Sequence, residues 1–388
     1  MKSFHYYNPS AICFGQGAER ELPALLRRYQ AHALMLVYSG DFVKTLGIWD
    51  VVRGACDELG IPMIEEGGVA PNPRLELVHD LIARGKAQGV DFVLAVGGGS
   101  SVDTAKAVAM GIGYDGDVWD FFTGRAEPAQ VLPVGVITTL PASGSETSNC
   151  AIITNGLYKL GYEDDRIIPK FAIMNPEYTL NLSAYQTACG IADILSHLLE
   201  RYFSAVSHTD TTDYLIEGAV RALLVNARRL LKNPKDLDAR SEIQWLESNA
   251  HNNLLDTGRE ADWGSHRIEH ELSAQYGLTH GEGMAVVLPA WVRYAAANRP
   301  EKPAQLAARV FGYDYVNDSP GDMALGLADE LERFFRSLKL RTRLSELQIG
   351  EGDFETMALR ATKGDTAAVG HYIPLNCARI LEILKLAR

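Results

Sequence analysis

With 388 residues, 47% of them hydrophobic, the chain holds more apolar material than one hydrophobic core usually contains, so two domains are expected. A formal net charge of −12 argues against a protein that wraps nucleic acid, because such binding needs a dense basic face to displace counterions. The five cysteines (Cys13, Cys56, Cys150, Cys189, Cys377) are odd in number and form no CxxC pair, which fits a reducing compartment and not a disulfide framework.

The opening MKSFHYYNPS lacks the apolar centre of a signal peptide, and no later run reaches the ~18 apolar residues that span a bilayer, so a soluble cytoplasmic protein is expected. Short apolar runs then alternate with amphipathic stretches: ALMLVYS (33–39), VVRGACDELG, IPMIEE, LVHDLIARGKAQG, DFVLAVGGG and LPVGVITTLP (132–141). That alternation marks parallel strands covered by helices. Beyond Pro176 long helical periodicities take over, as in TACGIADILSHLLERYFSA and LIEGAVRALLVNARRLL. The turn residues of NPEYTLNLSAYQ place the boundary near residue 180. The expected architecture is an α/β domain over 1–180, with a parallel Rossmann-like sheet, and an all-α domain over 181–388. Arg221, Arg228, Arg229, Lys232 and Lys235 read as a solvated helix face.

DFVLAVGGGSSVDTAKAVAMG puts Gly97, Gly98 and Gly99 at the end of a strand and opens a helix at Ser100 or Ser101. Glycines there let the backbone turn sharply and approach a ligand, while free helix amides attract phosphate; a pyrophosphate is the natural guest. The competing reading is an ordinary turn, with Ser101 capping the helix and Asp103 complementing its dipole. The spacing is not GxGxxG. A second group of small polar residues, TTLPASGSETS (138–148), offers Thr138, Thr139 and Ser145 to a ribose or nicotinamide amide, or is simply a polar loop.

Of ten histidines, four stand close to other ligand-type residues. Asp193 and His197 are four apart, so a helix projects both from one face, and they lie among apolar residues where an unpaired charge is costly. His266 and His270 repeat the spacing, and His280 follows in a glycine-rich stretch. Two helices can thus present a carboxylate and imidazoles to one cation, with Fe(II), Zn(II) and Ni(II) all compatible. Spacing leaves open which two of His266, His270 and His280 complete a four-ligand set.

FGQG (14–17), PNP (71–73), GGGSSVDTAK (97–106), TLPASGSE (139–146), NPEYT (175–179), DILSH and HRIEHELSAQYGLTHGEGMAVVLP together resemble the iron-containing (group III) alcohol dehydrogenases, in the butanol dehydrogenase and broad aldehyde reductase branch. The resemblance implies an active site in a cleft between the two domains, and a homodimer. It implies Asp193, His197, His266 and His280 as metal ligands and His270 as an extra active-site histidine, a candidate to relay a proton. By the same resemblance the pyrophosphate turn falls on Gly98, Gly99 and Ser100, next to Gly97. Asn72, Thr138, Thr139, Ser145, Lys159 and Tyr178 fall at other cofactor-contact positions. The implied reaction passes a hydride between a nicotinamide cofactor and a small primary alcohol or aldehyde such as butanol or butyraldehyde, a metal polarising the substrate oxygen.

A carboxylate at the end of the first parallel strand accepts the ribose 2′-hydroxyl of NAD and repels the 2′-phosphate of NADP. Here Ser39 and Gly40 fit the NADP-preferring pattern, while Asp41 and Phe42 depart from it, so NADP(H) is expected to be preferred with NAD(H) as the alternative. Rivals on the same scaffold are a glycerol dehydrogenase-like polyol oxidation and a dehydroquinate synthase-like lyase. Few basic residues beyond Arg259 and Arg267 stand near the histidines, which disfavours a phosphorylated acidic substrate. A catalytically silent metal-binding protein would be expected to lose either the glycine turn or the metal set, and both are complete. Phe121, Phe122, Trp263 and Tyr276 either line an apolar pocket or are plain core, core being favoured for most of them, and His371 reads as a surface residue or a substrate contact.

Overall fold

The computed structural model describes residues 1–388. Eight strands are formed: β1 (Ala11–Phe14), β2 (Leu34–Tyr38), β3 (Met63–Glu66), β4 (Phe92–Gly97), β5 (Val134–Thr138), β6 (Cys150–Asn155), β7 (Tyr158–Glu163) and β8 (Phe171–Met174). Helices of seven residues or more are α1 (Leu22–Arg28), α2 (Ile48–Leu59), α3 (Leu75–Ala87), α4 (Gly99–Ile112), α5 (Ala184–Tyr202), α6 (Asp210–Lys232), α7 (Leu237–His251), α8 (Gly264–Tyr276), α9 (His280–Asn298), α10 (Pro320–Ser337), α11 (Phe354–Ala361) and α12 (Cys377–Leu386).

Six strands make one sheet in the order β1-β8-β5-β4-β2-β3, every pair parallel. Strands β2, β4, β5 and β8 are buried along their whole length, because helices cover both faces of a parallel sheet. Their alternate residues divide between two apolar clusters: Met35, Val37, Val93 and Ala95 on one face, Leu34, Leu36, Leu94 and Val96 on the other. β2 lies between β3 and β4, so the chain reverses its direction of travel across the sheet there. That is the switch point at which open α/β sheets hold ligands beyond their strand ends. β6 and β7 form a separate antiparallel hairpin, which the sequence reading lacked although its two-residue loop, Gly156-Leu157, opens with a glycine at φ 57°.

The chain divides into two compact units, and neither is continuous. The sheet unit comprises Tyr7–Leu182 and Lys235–Asn252; the helical unit comprises Met1–Tyr6, Ser183–Pro234 and Asn253–Arg388. A single cut near residue 180 therefore misassigns α7, which packs with the sheet unit. No helix is long and apolar enough to cross a membrane.

In the helical unit, α5 starts at a capping box: Ser183 accepts from the Gln186 amide and the Gln186 side chain accepts from the Ser183 amide. The start of α9 presses against α5 and α8. A Cβ added at Gly281 would lie 2.0 Å from the Cys189 carbonyl oxygen, and one at Gly283 would lie 2.5 Å from Glu269 Oε1. The glycines after His280 are thus what lets that histidine approach the other two helices.

Candidate active site

The helical unit brings Asp193, His197, His266, His270 and His280 together on α5, α8 and the first residue of α9. Ligand atoms of Asp193, His266 and His280 all lie within 4.8 Å of one another, and those of Glu269, His270 and His280 form a second such group. Asp193 Oδ1 stands 3.4 Å from His280 Nε2 and 3.9 Å from His197 Nδ1. The rings of His197 and His266 stack with centroids 4.9 Å apart, and His270 lies further out, 5.7 Å from the His280 ring. Asp193, His197 and His266 are buried; His270 and His280 are partly open.

The ring nitrogens are not equivalent. Glu200 Oε1 accepts from the Nδ1 and the backbone amide of His266, at 3.1 and 3.0 Å, and from the Ser265 hydroxyl. Glu269 Oε2 takes the Nδ1 of His280. A carboxylate only accepts, so each Nδ1 carries the proton and each neutral ring directs the lone pair of Nε2 into the cluster. His266 Nε2 is buried there without a hydrogen-bond partner. His280 Nε2 faces the Asp193 carboxylate, an arrangement that calls for positive charge between them. A cation would satisfy both, and the donor set of imidazole nitrogens and a carboxylate oxygen suits a first-row divalent metal. Burial would raise the Glu200 carboxyl, but the hydrogen bonds it accepts from the ring and amide of His266 and from Ser265 hold it below the ordinary range.

Glu200 and Glu269 were missed in the sequence. The signal was their phase: each falls three residues after a histidine, in HLLE and HRIE. Trp263 is not plain core. Its ring meets His266 edge-on at 5.1 Å, under the guanidinium of Arg201, so it borders the cluster. Phe121 and Phe122 are core as expected. His371 is exposed, 3.6 Å from Glu260.

In the sheet unit the glycine turn joins β4 to α4. The helix begins at Gly99 with Gly98 as cap, one turn position earlier than the serines suggest. All three glycines are close-packed: a Cβ at Gly97 would lie 2.5 Å from Ser101 Oγ, at Gly98 3.3 Å from Leu140 Cβ, and at Gly99 2.3 Å from Ser143 Oγ. Ser39 Oγ is 3.4 Å from that same point at Gly97, which sets the end of β2 beside the turn. Thr138, Thr139, Ser145, Lys159 and Tyr178 are buried, Ser39, Gly40 and Asn72 half-buried, and Asn72 adopts a left-handed backbone at φ 55°.

Asp103 is no surface dipole partner. It is buried, accepting from Ser145 Oγ at 2.6 Å and the Ile152 amide at 3.2 Å. Lys106, also buried, donates to Ser145 Oγ, to Ser148 and to the Cys150 carbonyl. Burial lowers its pKa to about 8 against the opposing pull of Asp103. The DTAK of GGGSSVDTAK is therefore an internal brace for the loop that carries Thr138, Thr139 and Ser145.

A parallel sheet with a close-packed glycine turn, and a helical unit with a histidine–carboxylate cluster, fit the class of metal- and nucleotide-dependent enzymes. Residues 9–176 match the family described as iron-containing alcohol dehydrogenase, and residues 187–388 the C-terminal part of the Fe-containing alcohol dehydrogenase family. The chain belongs to the iron-containing alcohol dehydrogenase family, and is an alcohol/aldehyde oxidoreductase dependent on a nicotinamide cofactor, in a family that implies iron. It is 36% identical to the probable NADH-dependent butanol dehydrogenase 1 of Bacillus subtilis, covering 99% of each chain. Identity to the NADPH-dependent aldehyde reductase of Escherichia coli is 31% over 98% of each. The crystal structure of NADH-dependent butanol dehydrogenase A from Thermotoga maritima superimposes with a TM-score of 0.95 at 32% identity, covering 100% of this chain and 99% of that one.

Proposed function

We propose that this enzyme interconverts small primary alcohols and aldehydes of the butanol/butyraldehyde type, with Asp193, His197, His266 and His280 as the metal ligands and NADP(H) as the preferred cofactor. The observation that carries the metal assignment is the buried, unpartnered Nε2 of His266 beside Asp193 and His280. Bound there, a divalent iron, or zinc or nickel in its place, supplies Lewis-acid polarisation of the substrate oxygen. Glu200 and Glu269 hold two of the imidazoles in the tautomer that offers Nε2, which raises ligand basicity and fixes ring direction. His270, partly open and outside the tight group, takes the role of proton relay at the substrate oxygen.

In the sheet unit, Gly97, Gly98, Gly99 and Ser100 receive the pyrophosphate. Thr138, Thr139 and Ser145 hold the nicotinamide side, with Asn72, Lys159 and Tyr178 as further contacts. Ser39 and Gly40 stand at the end of β2, where their lack of charge favours a 2′-phosphate. A second reading, NAD(H), is supported by Asp41 and by the cofactor named for the Bacillus and Thermotoga relatives. Metal analysis, followed by steady-state reduction of an aldehyde panel with each cofactor before and after chelation, tests the whole assignment. Activity should vanish with the metal and return with Fe(II). Full activity in metal-free protein would overturn the metal role, and a preference for NADH of about tenfold or more would reverse the cofactor.

A further inference from the structure

One face of α7 lies along the loop that follows β5. Glu247, Ser248 and His251 are placed one turn apart at most, and each bonds to that loop. Glu247 is 1% exposed; its Oε2 accepts from the Ala142 amide at 2.8 Å and its Oε1 from the Thr138 hydroxyl at 3.3 Å. Ser248 donates to Glu146 Oε1, and His251 Nδ1 donates to the Ser143 carbonyl at 2.6 Å. Between them Gly144, at φ +67°, leaves no room: a Cβ would lie 2.5 Å from the Glu247 carbonyl oxygen and 2.6 Å from His251 Cβ. The loop is thus held on one side by Asp103 and Lys106 and on the other by α7, a helix that arrives from the second half of the chain.

We infer that Glu247 is a positioning residue for the nicotinamide cofactor, setting the conformation of Thr138–Ser145 through the Ala142 amide and the Thr138 hydroxyl. The inference rests on the reading that Thr138, Thr139 and Ser145 touch the cofactor. Removing the acceptor leaves the partly buried Ala142 amide and the buried Thr138 hydroxyl without their partner in a segment that contacts the cofactor, so binding is weakened before chemistry is. Burial first and the neighbouring Glu146 second hold the Glu247 carboxyl well above the ordinary range. Glutamine, uncharged and with an amide oxygen for the Ala142 N–H, is therefore the closest substitute, whereas aspartate withdraws the acceptor by one methylene.

The test uses full-length, metal-loaded protein, with cofactor Kd measured by fluorescence titration of NADPH and NADH beside steady-state kinetics. Glu247→Ala should raise Kd and cofactor KM about tenfold or more, with metal content and kcat at saturating cofactor near wild type. Glu247→Gln should stay within about threefold, and Glu247→Asp should fall between them. If the alanine variant does not fold, the aspartate–glutamine pair decides. Wild-type Kd in both Glu247→Ala and Glu247→Asp, or a glutamine variant as weak as alanine, overturns the inference. Thr139→Ala and Ser145→Ala separate the two levels. If these weaken cofactor binding and the Glu247 variants do not, positioning alone fails; if neither weakens it, the cofactor reading of the loop fails and the inference with it.

Discussion

The helical unit contains two buried polar clusters that resemble each other in composition and differ in closure. Around Asp213, whose side chain is 3% exposed, one carboxylate oxygen meets Arg259 and the other meets Lys302 and Gln305, while Glu217 takes Tyr202 and Arg309. Every charge there has its opposite inside the protein. Around Asp193 the acidic groups are matched by imidazoles, two of them with their Nδ1 already committed to carboxylates and their Nε2 turned inward. Burial and acidity alone therefore do not mark a functional site; a lone pair left without its complement does.

The largest expected effects break the open cluster. His266→Ala and His280→Ala should lose the bound metal and lower kcat/KM by about a thousandfold or more, roughly 4 kcal/mol of transition-state stabilisation. The melting temperature of the metal-free forms should also fall, because each ring is a hydrogen-bond partner of a buried carboxylate, His266 of Glu200 and His280 of Glu269. Retention of both metal and activity by His280→Ala would refute the assigned site.

The closed cluster should respond in the opposite sense. Asp213→Asn leaves Arg259 and Lys302 facing a neutral group, and is expected to cost about 3 kcal/mol of stability at neutral pH while kcat and metal content persist. Burial alone would raise the Asp213 carboxyl, but Lys302 and Arg259 outweigh it and hold it below the ordinary range. A depressed folded pKa contributes fully above the unfolded value of about 3.9 and is lost as pH falls through the folded value. Urea unfolding of both proteins should thus show a gap that is constant from pH 7 to about 5 and closes on further acidification. A gap that widens with acid contradicts the ion-pair account.

The same contrast explains what the sequence made legible. The parallel sheet follows from runs such as LMLVY and FVLAVG, whose apolar continuity has few alternatives, and the metal group from residue types that are costly to bury without a partner. Glu200 and Glu269 escaped notice because a glutamate on a helix is ordinary until its neighbour's Nδ1 is located. Asp103 looked like a first-turn acid and Lys106 carried no assignment, and only the fold brings Ser145 and Cys150 onto them. The placement of α7 was not readable either. Its amphipathic pattern says that one face is buried, and nothing local says against which unit.

The smallest predicted effect sharpens the comparison at a group that belongs to both kinds of chemistry. Glu200 is buried and its Oε1 is saturated by Ser265 and by the backbone and ring of His266, much as Asp213 is saturated by its cations. Glu200→Gln keeps an oxygen for those donors, so the fold should hold, with a melting temperature of the metal-free protein close to wild type. What it removes is the negative charge that makes the His266 imidazole a stronger donor. Metal affinity, measured by competition with a chelator, should fall about 10–100-fold while kcat at saturating metal stays within a few fold. An unchanged metal affinity would mean that Glu200 only anchors the start of α8. A metal-free protein destabilised as much as Asp213→Asn would place it with the closed network instead.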